Sequence, residues 1–218
     1  MKTTPIGSRS VIFTFESADI GADWDLNLHL IMGQVFNFII DPGLGKHTLI
    51  PMIDYAKAHN KLPFVIINTH YHWDHTWAND LVSDKLIIAH ALCGDKIESN
   101  WSVDLERNKA FICEPRTMVL PNLTFEEVLF FPADNIRLIH TPGHSEDCIS
   151  IVDEVDGIIN MGDNIGDTMT ELIPYLECDR ATYRESLLKC KQYQCRTIVS
   201  GHNHLLESDV VDTIIGLL

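Results

Sequence analysis

The sequence has no apolar run near the roughly 18 residues that a membrane-spanning helix requires. Stretches such as Phe64-Val65-Ile66-Ile67 and Leu86-Ile87-Ile88-Ala89 are of strand length. Basic residues are scarce: sixteen Lys and Arg against thirty-one Asp and Glu give a formal charge of −15. Such a field repels phosphate backbones, and the scattered bases form no stripe, which argues against nucleic acid as a partner. The six cysteines, at 93, 113, 148, 178, 190 and 195, form no C-x-x-C pair. Zinc-ribbon and thioredoxin-like readings therefore find no support, and the thiols are expected to be small buried hydrophobes. No apolar signal core lies between Lys2 and Arg9, and no low-complexity stretch or short repeat occurs. A soluble, cytoplasmic protein with no membrane partner is expected.

What remains is the composition of a globular protein. Hydrophobic residues make up 45% and charged residues 22% of 218. A chain of this length buries about 70% of its unfolded surface without disulfide staples, and one domain over residues 1–218 is expected. Apolar and polar alternation predicts strands over Ser10–Glu16, Leu26–Ile31 and Gln34–Ile40, with a hairpin turn at Met32-Gly33. Further strands are predicted over Leu62–Asn68, Leu86–Ala89, Val128–Phe131, Ile136–Ile139, Ile149–Val152, Gly157–Met161 and Thr197–Ser200. Helical spacing covers Lys46–His59, most of Ala91–Phe111, Arg180–Tyr193 and Ser208–Leu218. Strands and helices in each half suggest two face-to-face sheets covered by helices, joined by the proline-bounded segment Glu114–Pro121.

Five polar clusters each follow a strand-like run: Asp41-Pro-Gly, His70-Tyr-His72-Trp-Asp74-His75, Thr-Pro-Gly-His144, Met-Gly-Asp163 and Ser-Gly-His202-Asn-His204. Groups at strand ends converge along one sheet edge. In an extended segment, positions 70, 72 and 74 point to one side, placing two imidazoles and a carboxylate on one cavity. A short helix from Asp74 through Trp77 would swing His75 elsewhere, so that one segment serves two metal positions. Desolvated carboxylates and imidazoles at such density call for metal.

Together, these clusters resemble the metallo-β-lactamase superfamily from Asp41 to His202. The resemblance implies an α/β (in some schemes α+β) fold, a four-layer αββα sandwich. It also implies two divalent metal ions, zinc first, with iron or manganese as options. The first ion would be held by His70, His72 and His144 and the second by Asp74, His75 and His202, with Asp163 bridging. Asp41 would support the ligands without being one. The expected activity is hydrolysis of a small-molecule ester, thioester, lactone or phosphoester by a metal-bridging hydroxide, with Asp74 as the catalytic residue orienting it. A bound water whose pKa falls far below that of bulk water, to about 7, would provide that nucleophile.

Departures from subfamilies narrow the choice. Hydroxyacylglutathione hydrolases carry a C-terminal helical domain, whereas 16 residues follow His202 here. Zinc β-lactamases differ at the Asp163 position. The alternative is a persulfide dioxygenase-like oxidoreductase with one iron at the His70, His72 and Asp163 type of position; a non-catalytic metal-binding relic ranks below it. Secondary candidates carry weaker expectations. His204 faces solvent or lines the mouth, His90 and His140 are structural, and Cys148 packs. Trp24, Trp73, Trp77 and Trp101 are candidate pocket walls, Trp77 narrowing the cavity, and the Asp167–Cys178 loop offers Met169, Ile173 and Tyr175.

Overall fold

Strand alternation sorts the apolar side chains into three layers, and these define the architecture. The structure, a computed structural model, describes residues 1–218. The first sheet runs in sequence order: β1 (Lys2–Ile6), β2 (Ser10–Phe15), β3 (Leu26–Met32), β4 (Asn37–Ile40), β5 (Phe64–Ile67), β6 (Leu86–His90) and β7 (Leu123–Phe125). The second contains β8 (Val128–Phe131), β9 (Ile136–His140), β10 (Ile149–Asp153), β11 (Ile158–Asn160), β12 (Thr197–Val199) and β13 (Leu206–Glu207), in the spatial order β13 to β8. The helices are α1 (Ser17–Ile20), α2 (Lys46–His59), α3 (Trp73–Thr76), α4 (Cys93–Arg107), α5 (Arg180–Lys191) and α6 (Asp209–Leu217).

In β3, Leu26, Leu28 and Leu30 pack with Leu49, Met52 and Ala56 of α2. Ile31 points to the opposite face, where it joins Phe38, Ile40, Val65 and Ile67 against Ile136, Leu138, Ile149 and Ile151 of the second sheet. Beyond that sheet, Val152, Ile159 and Ile198 meet Tyr183 and Leu187 of α5 and Val210, Val211 and Ile214 of α6. Helix, sheet, sheet and helix form the four-layer αββα sandwich. Each fully buried Leu or Ile contributes about 1.5–3 kcal/mol, so the three layers dominate its stability. At one end Arg9 ties the sheets together: Nε and Nη2 donate to Asp153 at 3.0 and 2.6 Å, and Nη2 also donates to the Asp134 carbonyl at 2.7 Å. No helix is long and apolar enough to cross a membrane.

Several expectations are corrected. The strand expected from Gln34 begins only at Asn37, because Asp134 Oδ1 captures the amides of Gln34 and Val35 at 2.5 and 2.9 Å. A turn bound to the other sheet thus replaces the strand start. Helix α5 ends at Lys191, two residues early. Strand β1 was not anticipated; its Pro5 is tolerated because β1 lies at the sheet edge. The segment 114–121 does not join the two sheets directly, since β7 follows it and pairs with β6 in the first sheet.

Candidate metal centre

The loops at one end of both sheets bring together all seven residues predicted as donors. His70, His72, His144 and Asp163 each offer a ligand atom within 4.8 Å of the others, and Asp74, His75 and His202 form a second such group. Of the expected shared face, His72 and Asp74 do line one cavity, whereas His70 is fully buried beneath it. Helix α3 starts at Trp73, directly after His72, and carries Asp74 away with His75 into the second group. Asp163 lies between the groups: its Oδ2 is 3.6 Å from His70 Nε2, 3.8 Å from His144 Nε2, 3.4 Å from His75 Nε2 and 3.2 Å from His202 Nε2. Asp74 Oδ2 lies 3.5 and 3.4 Å from the same nitrogens of His75 and His202.

The far side of most rings is tied down, which fixes tautomer and orientation. Nδ1 of His75 donates to Asp41 Oδ2 at 2.9 Å, Nδ1 of His202 to the Asp25 carbonyl at 2.8 Å, and Nδ1 of His144 to the Tyr175 carbonyl at 3.0 Å. The Thr69 hydroxyl donates to Asp41 Oδ2 at 2.8 Å and therefore accepts from His70 Nδ1 at 3.0 Å. In neutral rings these bonds leave Nε2 without a proton, and the Nε2 lone pairs face inward. His72 turns Nδ1 inward instead, 2.9 Å from His70 Nε2 and 3.0 Å from His144 Nε2. Converging lone pairs repel unless a cation lies among them. His75 Nε2 and Asp163 Oδ1 are moreover buried without a hydrogen-bond partner. The donor set fits divalent ions on these grounds, with nitrogen and oxygen donors suited to zinc, iron or manganese.

Electrostatics divides the two groups. Burial, helped by the neighbouring His75, pulls His70 well below its usual range, and burial also lowers His72, to about 4. Both rings are neutral donors at physiological pH. Burial acts in the same direction on His75 and His202, but there Asp163 and Asp74 outweigh it and raise the proton affinity well above the ordinary value. Burial opposes ionisation of Asp163, yet His202, His75 and His70 hold its carboxyl well below the usual range. Protons thus compete with a metal ion at His75 and His202, and not at His70 and His72.

The supporting residues include some that were legible and some that were not. Asp41, at the end of β4, accepts from the Thr69 amide at 2.7 Å as well as from Thr69 Oγ1 and His75. Its φ of 60° is left-handed backbone, which Asp tolerates better than most residues. Asn164 was missed: Oδ1 accepts from the His144 amide at 2.9 Å and Nδ2 donates to the Thr141 carbonyl at 2.7 Å. Gly201 was missed as well. A Cβ there would lie 2.1 Å from Asp163 Oδ1, so only glycine lets the carboxylate stand where it does. The Asp25 and Tyr175 carbonyls leave no mark in a sequence.

A cavity of about 200 Å³ opens over the donors, walled by Trp24, Trp73 and Asp167. Trp24 meets the His202 ring edge-on at 5.0 Å. Trp77 does not narrow this cavity; it is 1% exposed and belongs to the α2-side core. Trp101 packs in the core as well. His90 and His140 stack on each other at 3.7 Å, His140 donating to the Glu146 carbonyl and His90 accepting from the Leu92 amide. His204 is exposed and lines both a groove behind His202 and a larger cavity also walled by Trp24 and Asp167. Cys148 is buried, with its thiol 3.1 Å from Ser145 Oγ. Met169 and Tyr175 stand exposed on the loop, where Tyr175 and Ile173 line a neighbouring cavity.

Comparison with known proteins agrees with this geometry. Residues 27–202 match the family model of the metallo-beta-lactamase superfamily. A protein of Methanocaldococcus jannaschii named a probable metallo-hydrolase is 29% identical over 143 residues, covering 62% of this chain and 65% of that protein. An acyl-coenzyme A thioesterase of Gallus gallus is 27% identical over 175 residues, covering 68% and 61%. A hydroxyacylglutathione hydrolase of Shewanella denitrificans is 28% identical over 110 residues, covering 50% and 36%. The chain thus spans less than two thirds of the length of these relatives. Among solved structures, a metallo-beta-lactamase from Pontibacter korlensis superposes with a TM-score of 0.78 at 18% identity, covering 99% of this chain and 97% of that one, a likeness of fold. Fold, donor set and family match agree, and the chain belongs to the metallo-beta-lactamase superfamily.

Proposed function

We propose that the protein is a dinuclear metal-dependent hydrolase of small esters, thioesters, lactones or phosphoesters. One ion is held by His70, His72 and His144, the other by Asp74, His75 and His202, and Asp163 is shared. The observation that carries this reading is Asp163 Oδ2, which stands within 3.8 Å of four imidazole nitrogens drawn from both groups. Divalent ions in such a donor set act as Lewis acids on the scissile carbonyl or phosphoryl and make water nucleophilic near neutral pH.

The chain's own residues do the rest. Asp74 lines the cavity and accepts a hydrogen bond from the attacking water, orienting it. Asp41 and Thr69 hold the rings of His75 and His70, and Trp24 and Trp73 exclude bulk water from one side. Against a mononuclear iron oxygenase, the reading is supported by the second donor group, which is gathered as tightly as the first. The names of two relatives, a thioesterase and an acylglutathione hydrolase, favour acyl substrates over phosphoesters.

Elemental analysis of protein purified without added metal or chelator tests this. The expected content is about two zinc or manganese ions per chain, with turnover of at least one thioester or lactone that chelation abolishes. A single iron per chain, with no hydrolysis, would transfer the protein to the oxygenase reading.

A further inference from the structure

Asp167 stands where three cavities meet. It lines the space over the donors and two larger ones of about 580 and 590 Å³ on either side of the 166–175 loop. No lysine or arginine lines any of the three. Six carboxylates do: Asp23, Asp25, Asp74, Asp163, Asp167 and Glu171. Two divalent ions would supply four positive charges, so the fully loaded mouth keeps a net charge of two negatives. Lys2 lines an adjoining groove, which shares Asp25, His202, Asn203 and His204 with the cavity of about 580 Å³, and Glu16 and Asp25 accompany it there.

Two further features turn this charge toward a ligand. Trp24 is shared by the donor cavity and its larger neighbour and is flanked in sequence by Asp23 and Asp25. An indole amid carboxylates is the surface that organic cations bind, through ring quadrupole and charge together. Asp163, 6% exposed, opens on the same cavity and adds a carboxylate to its floor, its unpartnered Oδ1 being buried towards Gly201. Polyanions meet the opposite situation: with no basic residue in the walls, a phosphate or carboxylate tail crosses a negative rim unpaired.

We infer that the substrate is a small ester or thioester carrying an ammonium or similar organic cation, seated on Trp24 beside Asp167. This rests on the hydrolase reading above and narrows it. Coenzyme A and glutathione thioesters and phosphoesters are disfavoured by the same walls. Asp167 acts here as a specificity residue, through KM.

Three thioesters of one acyl group test it: acetylthiocholine (cationic), S-ethyl thioacetate (neutral) and acetyl-coenzyme A (anionic), with metal-loaded protein at low salt. The expected order of kcat/KM is cationic, neutral, anionic, with about ten-fold or more between the extremes, compressed by added salt. Asp167→Asn combined with Glu171→Gln is expected to reduce that ratio several-fold through KM, and Trp24→Leu to reduce the cationic advantage over the neutral substrate. Turnover of acetyl-coenzyme A equal to or faster than acetylthiocholine overturns the inference and leaves the hydrolase reading standing. If none of the three is hydrolysed, the hydrolase reading for thioesters fails, and calorimetry with tetramethylammonium decides the inference on its own. Binding that weakens in Asp167→Asn sustains it, and no binding ends it.

Discussion

The two sheets build their halves of the centre by different means. Beyond β5, six consecutive residues deliver four of the seven donors, His70, His72, Asp74 and His75, and the turn into α3 alone separates them into two groups. The second sheet delivers its three donors one at a time: His144 beyond β9, Asp163 beyond β11 and His202 beyond β12. Local chain geometry fixes the first half, with Asp41 as the brace to its donors from outside the motif. The second needs braces from elsewhere, and it has them in Asn164 behind His144, in Gly201 making room for Asp163, and in Asn27 of β3. Asn27 donates from Nδ2 to the carbonyls of Ser200 and Asn203, and its amide donates to the Gly201 carbonyl, securing the His202 loop from the opposite sheet. The compact motif needs one support for its donors within its own sheet, whereas the dispersed donors depend on the two sheets being closed on each other.

The largest effect is expected where the halves meet. Asp163→Asn should lower metal content at both groups and turnover by more than about a hundred-fold, beyond what a merely supporting residue costs. Unchanged stoichiometry would show that the halves bind independently.

Proton competition separates the groups next. Because His75 and His202 hold protons more tightly than usual while His70 and His72 hold them less tightly, metal affinity at the second group should fall on acidification. The loss is about ten-fold per pH unit for each proton displaced, and the donors His70 and His72 should contribute little to any loss at the first group. Metal titrations at pH 5.5 and 8 check this; parallel losses at both groups would erase the distinction.

The smallest effect concerns the seam between the sheets. His29 of β3 is fully buried, with neither ring nitrogen hydrogen-bonded, and burial pushes it down to about 3. Leu28 and Leu30 face α2, so His29 faces the second sheet. Its folded-state value lies below the unfolded one, so the stability linked to it is complete above pH 6.5 and is lost as pH falls from there towards 3. The loss is about 1.4 kcal/mol per pH unit for this one group. Urea unfolding at pH 7 and pH 5 should show it, and His29→Leu should flatten the difference.

Much of this was legible in the chain, and the reasons are physical. Period-two alternation in β3, β4, β9 and β10 reports which side chain faces helix and which faces sheet, so the layers could be read. The donors were legible because His and Asp crowded at strand ends are costly without a shared ligand. Less legible were elements whose pairing depends on distant partners. β1 owes its existence to β2, and the start of β4 is lost to Asp134, about a hundred residues away in sequence. Asn164 and Gly201 looked like ordinary loop residues, because their roles are a hydrogen bond to a backbone amide and an absence of side-chain volume. Trp77, near the donors in sequence, turned inward once α3 had reversed the chain.

The clasp between β3 and the His202 loop has one more consequence. His75 and His202 lie roughly 130 residues apart in sequence, so an ion shared by them would close a long loop. Closing about a hundred residues in the unfolded chain costs on the order of 4–5 kcal/mol of configurational freedom. An ion at this centre would thus serve the chain as a removable cross-link, and a chelator would act on it as a reductant acts on a cystine.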